Sequence, residues 1–199
     1  MINLFLVTLL FFSLEIKSKE NDKPLVIAHR GASSYAPENT LAAIKKGIEL
    51  GAHYVEIDVR MTKDGKLVLI HDAKVNRTTD GEGNVNELTL SEIKLLDAGS
   101  WFDPKFKDEK IPTLDEVFSI LDAATTLIIE LKDDPKNISK MINKVIRTAR
   151  EQGQQKKIIL KSFNPKVLEE IRKQAPEFPL IYVYAIRIPF LNYTFGTRL

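Results

Sequence analysis

The sequence predicts an α/β fold organised on a largely parallel sheet, and three features of the chain predict it. Short, continuous apolar runs such as Leu25-Val26-Ile27-Ala28 and Leu127-Ile128-Ile129 suit strands that are covered on both faces. Helix-spaced stripes lie between such runs: Leu41, Ile44 and Ile48, then Ile138, Met141, Ile142, Val145, Ile146 and Ala149. Strand and helix alternate along most of the chain, giving about five core strands and one hairpin strand.

The first predicted strand ends in His29 and passes through Arg30-Gly31 into a loop. A helix follows from about Asn39 to Leu50, closed by Gly51. The next strand, Tyr54 to Val59, places Glu56 and Asp58 on one face, because residues two apart in a strand point the same way. His53 precedes that strand and reads as structural. Only Arg60 to Lys66 separates it from the strand Leu67 to His71, too short for a parallel crossover. Asp64-Gly65 instead predicts a two-residue hairpin turn, which would set Asp58 opposite His71.

Residues 72–111 read as an insertion. Thr89 with Glu92 and Thr113 with Glu116 are capping boxes, the second opening a helix through Ala123. Trp101 and Phe102 read as local core. Leu127 to Lys132 is a core strand carrying Glu130 and Lys132 on one face. Asp134-Pro135 opens the clearest helix and Gly153 stops it. Lys157 to Lys161 is a strand followed by Ser162-Phe163, Asn164-Pro165 starts another helix, and Leu180 to Tyr184 is a further strand.

At 199 residues the chain suits one sizeable domain, but is short for a full eight-fold barrel of about 250 residues. A net charge of +2 without basic clustering argues against a nucleic-acid partner. The absence of cysteine excludes disulfides, zinc–thiolate sites and thiol nucleophiles. Ile2 to Leu14 is apolar apart from Asn3, Thr8 and Ser13, and a polar run to Lys23 follows. Residues 1–23 therefore read as a signal peptide, giving a secreted or periplasmic protein, or as an uncleaved anchor facing outside the cytoplasm. The anchor would be the chain's one membrane contact. The fold is expected over residues 24–186, and 187–199 read as a tail not native to it.

Four apolar runs end in or beside polar groups: His29, Glu56 with Asp58, His71, and Glu130 with Lys132. Functional groups collect at the carboxyl ends of strands in parallel sheets and barrels. Glu56 and Asp58 alone could be a solvated or salt-bridged pair, and each histidine alone could be structural. Three carboxylates converging without counter-charge would be strongly unfavourable, so one divalent cation is the economical explanation, with oxygen donors favouring Ca²⁺ or Mg²⁺. Paired imidazoles suggest a general acid and a general base, each contributing about 10²–10⁴-fold. Arg30 and Lys132 suit a phosphate, and the set points to cleavage of a small-molecule phosphodiester.

The segments HRGASSYAPENT (29–40), YVEIDVRMTKDGKLVLIHD (54–72), RTTDGEGNV (77–85), LDAGSWF (96–102), IPTLDEVF (111–118), IIELK (128–132) and KSFNP (161–165) resemble the glycerophosphodiester phosphodiesterase family. The resemblance implies a TIM (β/α)8-type barrel, here incomplete, with about five barrel strands present. A small insertion would follow the hairpin carrying His71. It also implies hydrolysis of glycerophosphodiesters to glycerol 3-phosphate and an alcohol. By this resemblance His29 and His71 are catalytic, Glu56, Asp58 and Glu130 bind the metal, and Arg30, Lys132 and Phe163 meet the substrate. Glu38 and Asn39 match a family motif that either supports the loop after His29 or contacts ligand. Nothing after Tyr184 matches the three further βα units of the family, so the chain is expected to be truncated. A phospholipase D-like lipid phosphodiesterase and an inactive remnant are the alternative readings.

Overall fold

The protein is described by a computed structural model over residues 24–132, 137–187 and 194–198. Its strands are β1 (Ile27–Ala28), β2 (Tyr54–Met61), β3 (Leu67–Leu69), β4 (Thr126–Leu131), β5 (Ile158–Ser162), β6 (Leu180–Arg187) and β7 (Thr194–Arg198). They form one sheet in the order β1-β2-β4-β5-β6-β7, with β3 pairing separately on β2. From β1 to β6 the pairing along this path is parallel, while β3 and β7 run antiparallel to β2 and β6. The parallel strands curl into part of a TIM-type barrel, the fold class expected from the sequence.

The helices are α1 (Leu41–Glu49), α2 (Leu90–Leu95), α3 (Leu114–Ile120), α4 (Ile138–Glu151) and α5 (Pro165–Gln174). Thr40, Thr89, Thr113 and Asn164 accept backbone N–H bonds at the starts of α1, α2, α3 and α5, each such cap contributing about 1 kcal/mol. Both capping boxes form as expected.

The strand period divides the barrel residues between two environments. Val55, Ile57 and Val59 of β2 join Leu127, Ile129 and Leu131 of β4 in a core with Val117, Met141, Ile142, Val145 and Phe178. Burying each of these large side chains stabilises by roughly 1.5–3 kcal/mol. The intervening Glu56, Asp58 and Glu130 are therefore turned to the other face. A second core, Val68, Ile70, Val75, Val85, Ile93, Ala98 and Ile111, seats residues 72–111 against the hairpin.

The hairpin register differs from the expected one by a single residue. Val59, Arg60 and Met61 face Leu69, Val68 and Leu67, so Asp58 lies level with Ile70, whose N–H donates to the Asp58 carbonyl at 3.0 Å. The turn has three residues because Gly65 takes a left-handed φ of +74°, while Thr62 Oγ1 accepts from the Lys66 N–H at 2.9 Å. His71 consequently leaves the ladder.

Other elements also depart from expectation. The first strand is only two residues long, and Leu25, Val26 and Ile27 are exposed along it. Trp101 is 41% exposed, with its indole N–H bonded to the Ala98 carbonyl and its ring edge-on to Phe102, so it is surface and not local core. Helix α3 stops at Ile120, before Ala123, because the Asp122 carboxylate accepts the Ala124 and Thr125 N–H groups and turns the chain. The segment 1–23 and the helix start expected at Asp134-Pro135 lie outside the described residues, as do 188–193 and 199 of the expected tail. Among the described residues, no helix is long and apolar enough to cross a membrane.

Candidate active site

The site is built on a row of residues level with one another across three strands. Asp58 of β2 is the register partner of Glu130 of β4, which is the partner of Lys161 of β5. Adjacent strands lie about 4.8 Å apart, so three charged side chains on one face must interact. Glu56 joins them from two residues earlier on β2. Carboxylate oxygens of Glu56, Asp58 and Glu130 lie within 4.8 Å of one another, and all three residues are buried.

The loop after β1 closes over this row. Arg30 and Gly31 both take left-handed φ values, +54° and +75°. At Gly31 a Cβ would stand 2.6 Å from the Ala43 carbonyl carbon, so glycine lets the loop press on α1. That approach brings the Arg30 N–H to Glu56 Oε2 at 3.0 Å and the Arg30 Nε to 3.5 Å from Asp58 Oδ2. His29 Nε2 lies 3.9 Å from Glu56 Oε2, and the ring is largely exposed. His53 instead accepts the Val26 N–H at 3.1 Å through Nδ1, a structural bond beside β1.

The carboxylates are not bare, so the expected convergence of three acids without counter-charge does not hold. Lys161 Nζ reaches Glu56 Oε1 at 2.6 Å and Glu130 Oε2 at 2.7 Å. Lys132 Nζ reaches Asp58 Oδ1 at 2.9 Å and also bonds Glu130 Oε1. Burial pushes the Asp58 carboxyl upward, but the Lys132 charge and the Asn39 amide outweigh it and hold it below the ordinary range. Burial likewise pushes Lys161 downward, and Glu56 and Glu130 overcome it to raise the ammonium above its ordinary value.

His71 belongs to a chain of charges running to the other histidine's loop. Its Nδ1 is 2.7 Å from Asp72 Oδ1. Arg77 bonds Asp72 through Nε at 2.7 Å and Glu38 through Nη1 and Nη2 at 2.9 and 2.8 Å. Glu38 in turn accepts from Arg30 Nη1 at 2.8 Å. Burial acts to raise Glu38, but its two arginines hold it below the usual carboxylate range. The Arg77 bond, against some burial, does the same to Asp72. Of the two roles open to Glu38, support of the loop is the one its bonds to Arg30 and Arg77 serve.

Lys161, Asp72 and Arg77 were missed as site residues. Lys161 carried the same signal as Glu130, a charged side chain near the end of an apolar strand. Asp72 and Arg77 follow a histidine in an irregular segment, where no periodicity marks a shared face. Phe163, 53% exposed, stands with Arg60, Glu130, Lys132, Ser162 and Asn164 around a cavity of about 480 Å³ at the end of β4 and β5.

This arrangement can be set beside known proteins. The sequence model of the glycerophosphoryl diester phosphodiesterase family matches residues 29–188. The chain belongs to that family. It is 47% identical over 163 residues to a glycerophosphodiester phosphodiesterase of Caldanaerobacter subterraneus subsp. tengcongensis, covering 81% of this chain and 67% of the relative. A Bacillus subtilis enzyme of the same name is 37% identical over 174 residues, covering 80% and 59%. A crystal structure of an Oleispira antarctica phosphodiesterase, in complex with the product sn-glycerol-3-phosphate, superposes with a TM-score of 0.75 at 37% identity, over 79% of this chain and 64% of that one. The chain thus spans about two thirds or less of the length of these relatives.

The donor set fits the divalent cation the family membership implies. Hard cations take oxygen ligands at about 2.0–2.6 Å, so ligands on one ion stand up to about 5 Å apart. The three carboxylates meet that span.

Proposed function

We propose that this site hydrolyses glycerophosphodiesters to glycerol 3-phosphate and an alcohol. The observation that carries the reading is the buried Glu56–Asp58–Glu130 group at the strand ends, with His29 beside Glu56 and His71 tied through Asp72, Arg77 and Glu38 to the loop after His29. Glu56, Asp58 and Glu130 would hold Ca²⁺ or Mg²⁺, which supplies electrostatic stabilisation of charge on phosphorus-bound oxygens.

The protein's own groups handle the protons and the orientation. Asp72 accepts from the Nδ1–H of His71, leaving Nε2 to take a proton from the nucleophile, either water or the substrate's glycerol hydroxyl. As the new phosphorus–oxygen bond forms and the bond to the alcohol breaks, a protonated His29 donates its proton to the leaving alkoxide; where the glycerol hydroxyl attacks, the product is a cyclic phosphate that water then opens to glycerol 3-phosphate. Arg30 and Lys132 orient the phosphate, and Phe163 flanks the alcohol. The apolar run Ile2 to Leu14 supports placing this activity outside the cytoplasm, in a secreted, periplasmic or anchored protein.

The test is hydrolysis of glycerophosphocholine and of intact phosphatidylcholine by the full chain, with Ca²⁺, with Mg²⁺ and with chelator. Divalent-dependent release of glycerol 3-phosphate from the deacylated diester alone supports the reading. Turnover of the intact lipid alone favours the phospholipase D-like alternative, and hydrolysis of neither favours the inactive remnant. A cyclic phosphate trapped in a single turnover identifies the glycerol hydroxyl as the nucleophile.

A further inference from the structure

Lys161 is the cation that β5 contributes to the site, and like Lys132, which bridges Asp58 and Glu130, it stands between two of the three acids. Its ammonium sits between Glu56 and Glu130, 2.6 and 2.7 Å from one oxygen of each. Those two carboxylates belong to the group whose spacing suits a divalent ion. The backbone cannot easily carry the lysine elsewhere, because Lys161 is held in register against Glu130 on one side and Ile181 on the other. Two buried acids and a lysine on neighbouring parallel strands compensate one another without any ligand.

We infer that Lys161 is a built-in competitor of the divalent cation, a residue that sets how tightly this chain holds its metal. The inference deepens the proposed function, and it rests on the reading of Glu56, Asp58 and Glu130 as metal ligands. With the ammonium in place, the repulsion between Glu56 and Glu130 is reduced. Binding of a cation must weaken two charge-assisted hydrogen bonds, each stronger than a neutral one. The ammonium also repels a second positive charge placed at the same oxygens. Lys161 therefore lowers metal affinity while protecting the metal-free fold.

The consequence is read by binding and not by turnover. Ca²⁺ and Mg²⁺ are titrated by calorimetry into the full chain, into Lys161→Gln and into Lys161→Arg, each first stripped with chelator. Removing the charge in Lys161→Gln is expected to tighten binding about tenfold or more, whereas Lys161→Arg keeps the charge and stays near the parent. Thermal unfolding supplies a second readout. Metal-free Lys161→Gln is expected to melt below the parent and to recover more than the parent as the ion is added.

Equal affinity in parent and Lys161→Gln, or weaker affinity in the variant, overturns the inference. So does a variant that stays unfolded at every ion concentration. If no chain binds either ion, the inference falls. Hydrolysis unaffected by chelator would then show that the phosphodiesterase reading survives without it.

Discussion

Asn39 holds Asp58 at two points: its side-chain N–H donates to Asp58 Oδ2 at 2.9 Å, and its amide oxygen accepts the Asp58 backbone N–H at 3.0 Å. Both residues are buried, and Asn39 takes a left-handed φ of +57°, a conformation asparagine tolerates better than most residues. Asn39→Ala leaves a buried carboxylate oxygen and a buried N–H without this partner, each worth about 1–3 kcal/mol. The urea midpoint is expected to fall with an unchanged slope. Asn39→Gly relieves the backbone strain but not the lost bonds, so it should recover only part of the loss.

Arg77 joins the segment after His71 to the loop after His29 through Asp72 and Glu38. Lysine has one ammonium where this geometry uses a planar fork. Arg77→Lys should therefore behave like Arg77→Met and not like the parent. The expected loss is about 10–100-fold in kcat/KM, the usual scale for removing a group that orients a reactive one. Steady-state kinetics together with unchanged circular dichroism would establish it. Full activity in Arg77→Lys would show that the fork is dispensable.

The same clasp makes a pH prediction. Glu38 and Asp72 are held below their ordinary values of 4.5 and 3.8, so in acid the unfolded chain binds more protons than the folded one. Their contribution is complete above those ordinary values and is lost as the pH falls through the lower folded ones. Arg77→Met should accordingly be less stable than the parent at about pH 6, with the gap narrowing as the pH falls below those ordinary values. Thermal melts of both chains across that range measure it, and a gap that widens on acidification would count against the clasp.

How much of this was legible in the sequence depends on the range of the signal. Helix stripes and capping boxes are local, and α1, α2, α4 and α5 lie where Ile44, Thr89, Val145 and Asn164 put them. The strand-end acids were legible because Glu56, Asp58 and Glu130 interrupt apolar runs. The hairpin register was not, because a left-handed Gly65 serves a three-residue loop as well as a two-residue one, and Thr62 and Asp64 decide between them. The pairing of Lys161 with Glu56 was not legible either: 105 residues separate them, and only the order of β2, β4 and β5 brings them together.

Phe163 tests the cavity separately from the charges. Its ring is exposed at the end of β5, on the rim of the space shared with Glu130 and Lys132. An exposed side chain contributes little to folding, so Phe163→Ala should shift stability by no more than about 0.5 kcal/mol. The proposed place of the ring beside the alcohol portion of a diester would bring it into contact with ground state and transition state alike. A loss of such uniform binding raises KM and leaves kcat unchanged. The expected result is a KM several-fold higher for glycerophosphocholine at an unaltered kcat. A fall in kcat at constant KM would instead place the ring against the reacting phosphate, and an unchanged KM would place the alcohol elsewhere along the strand ends.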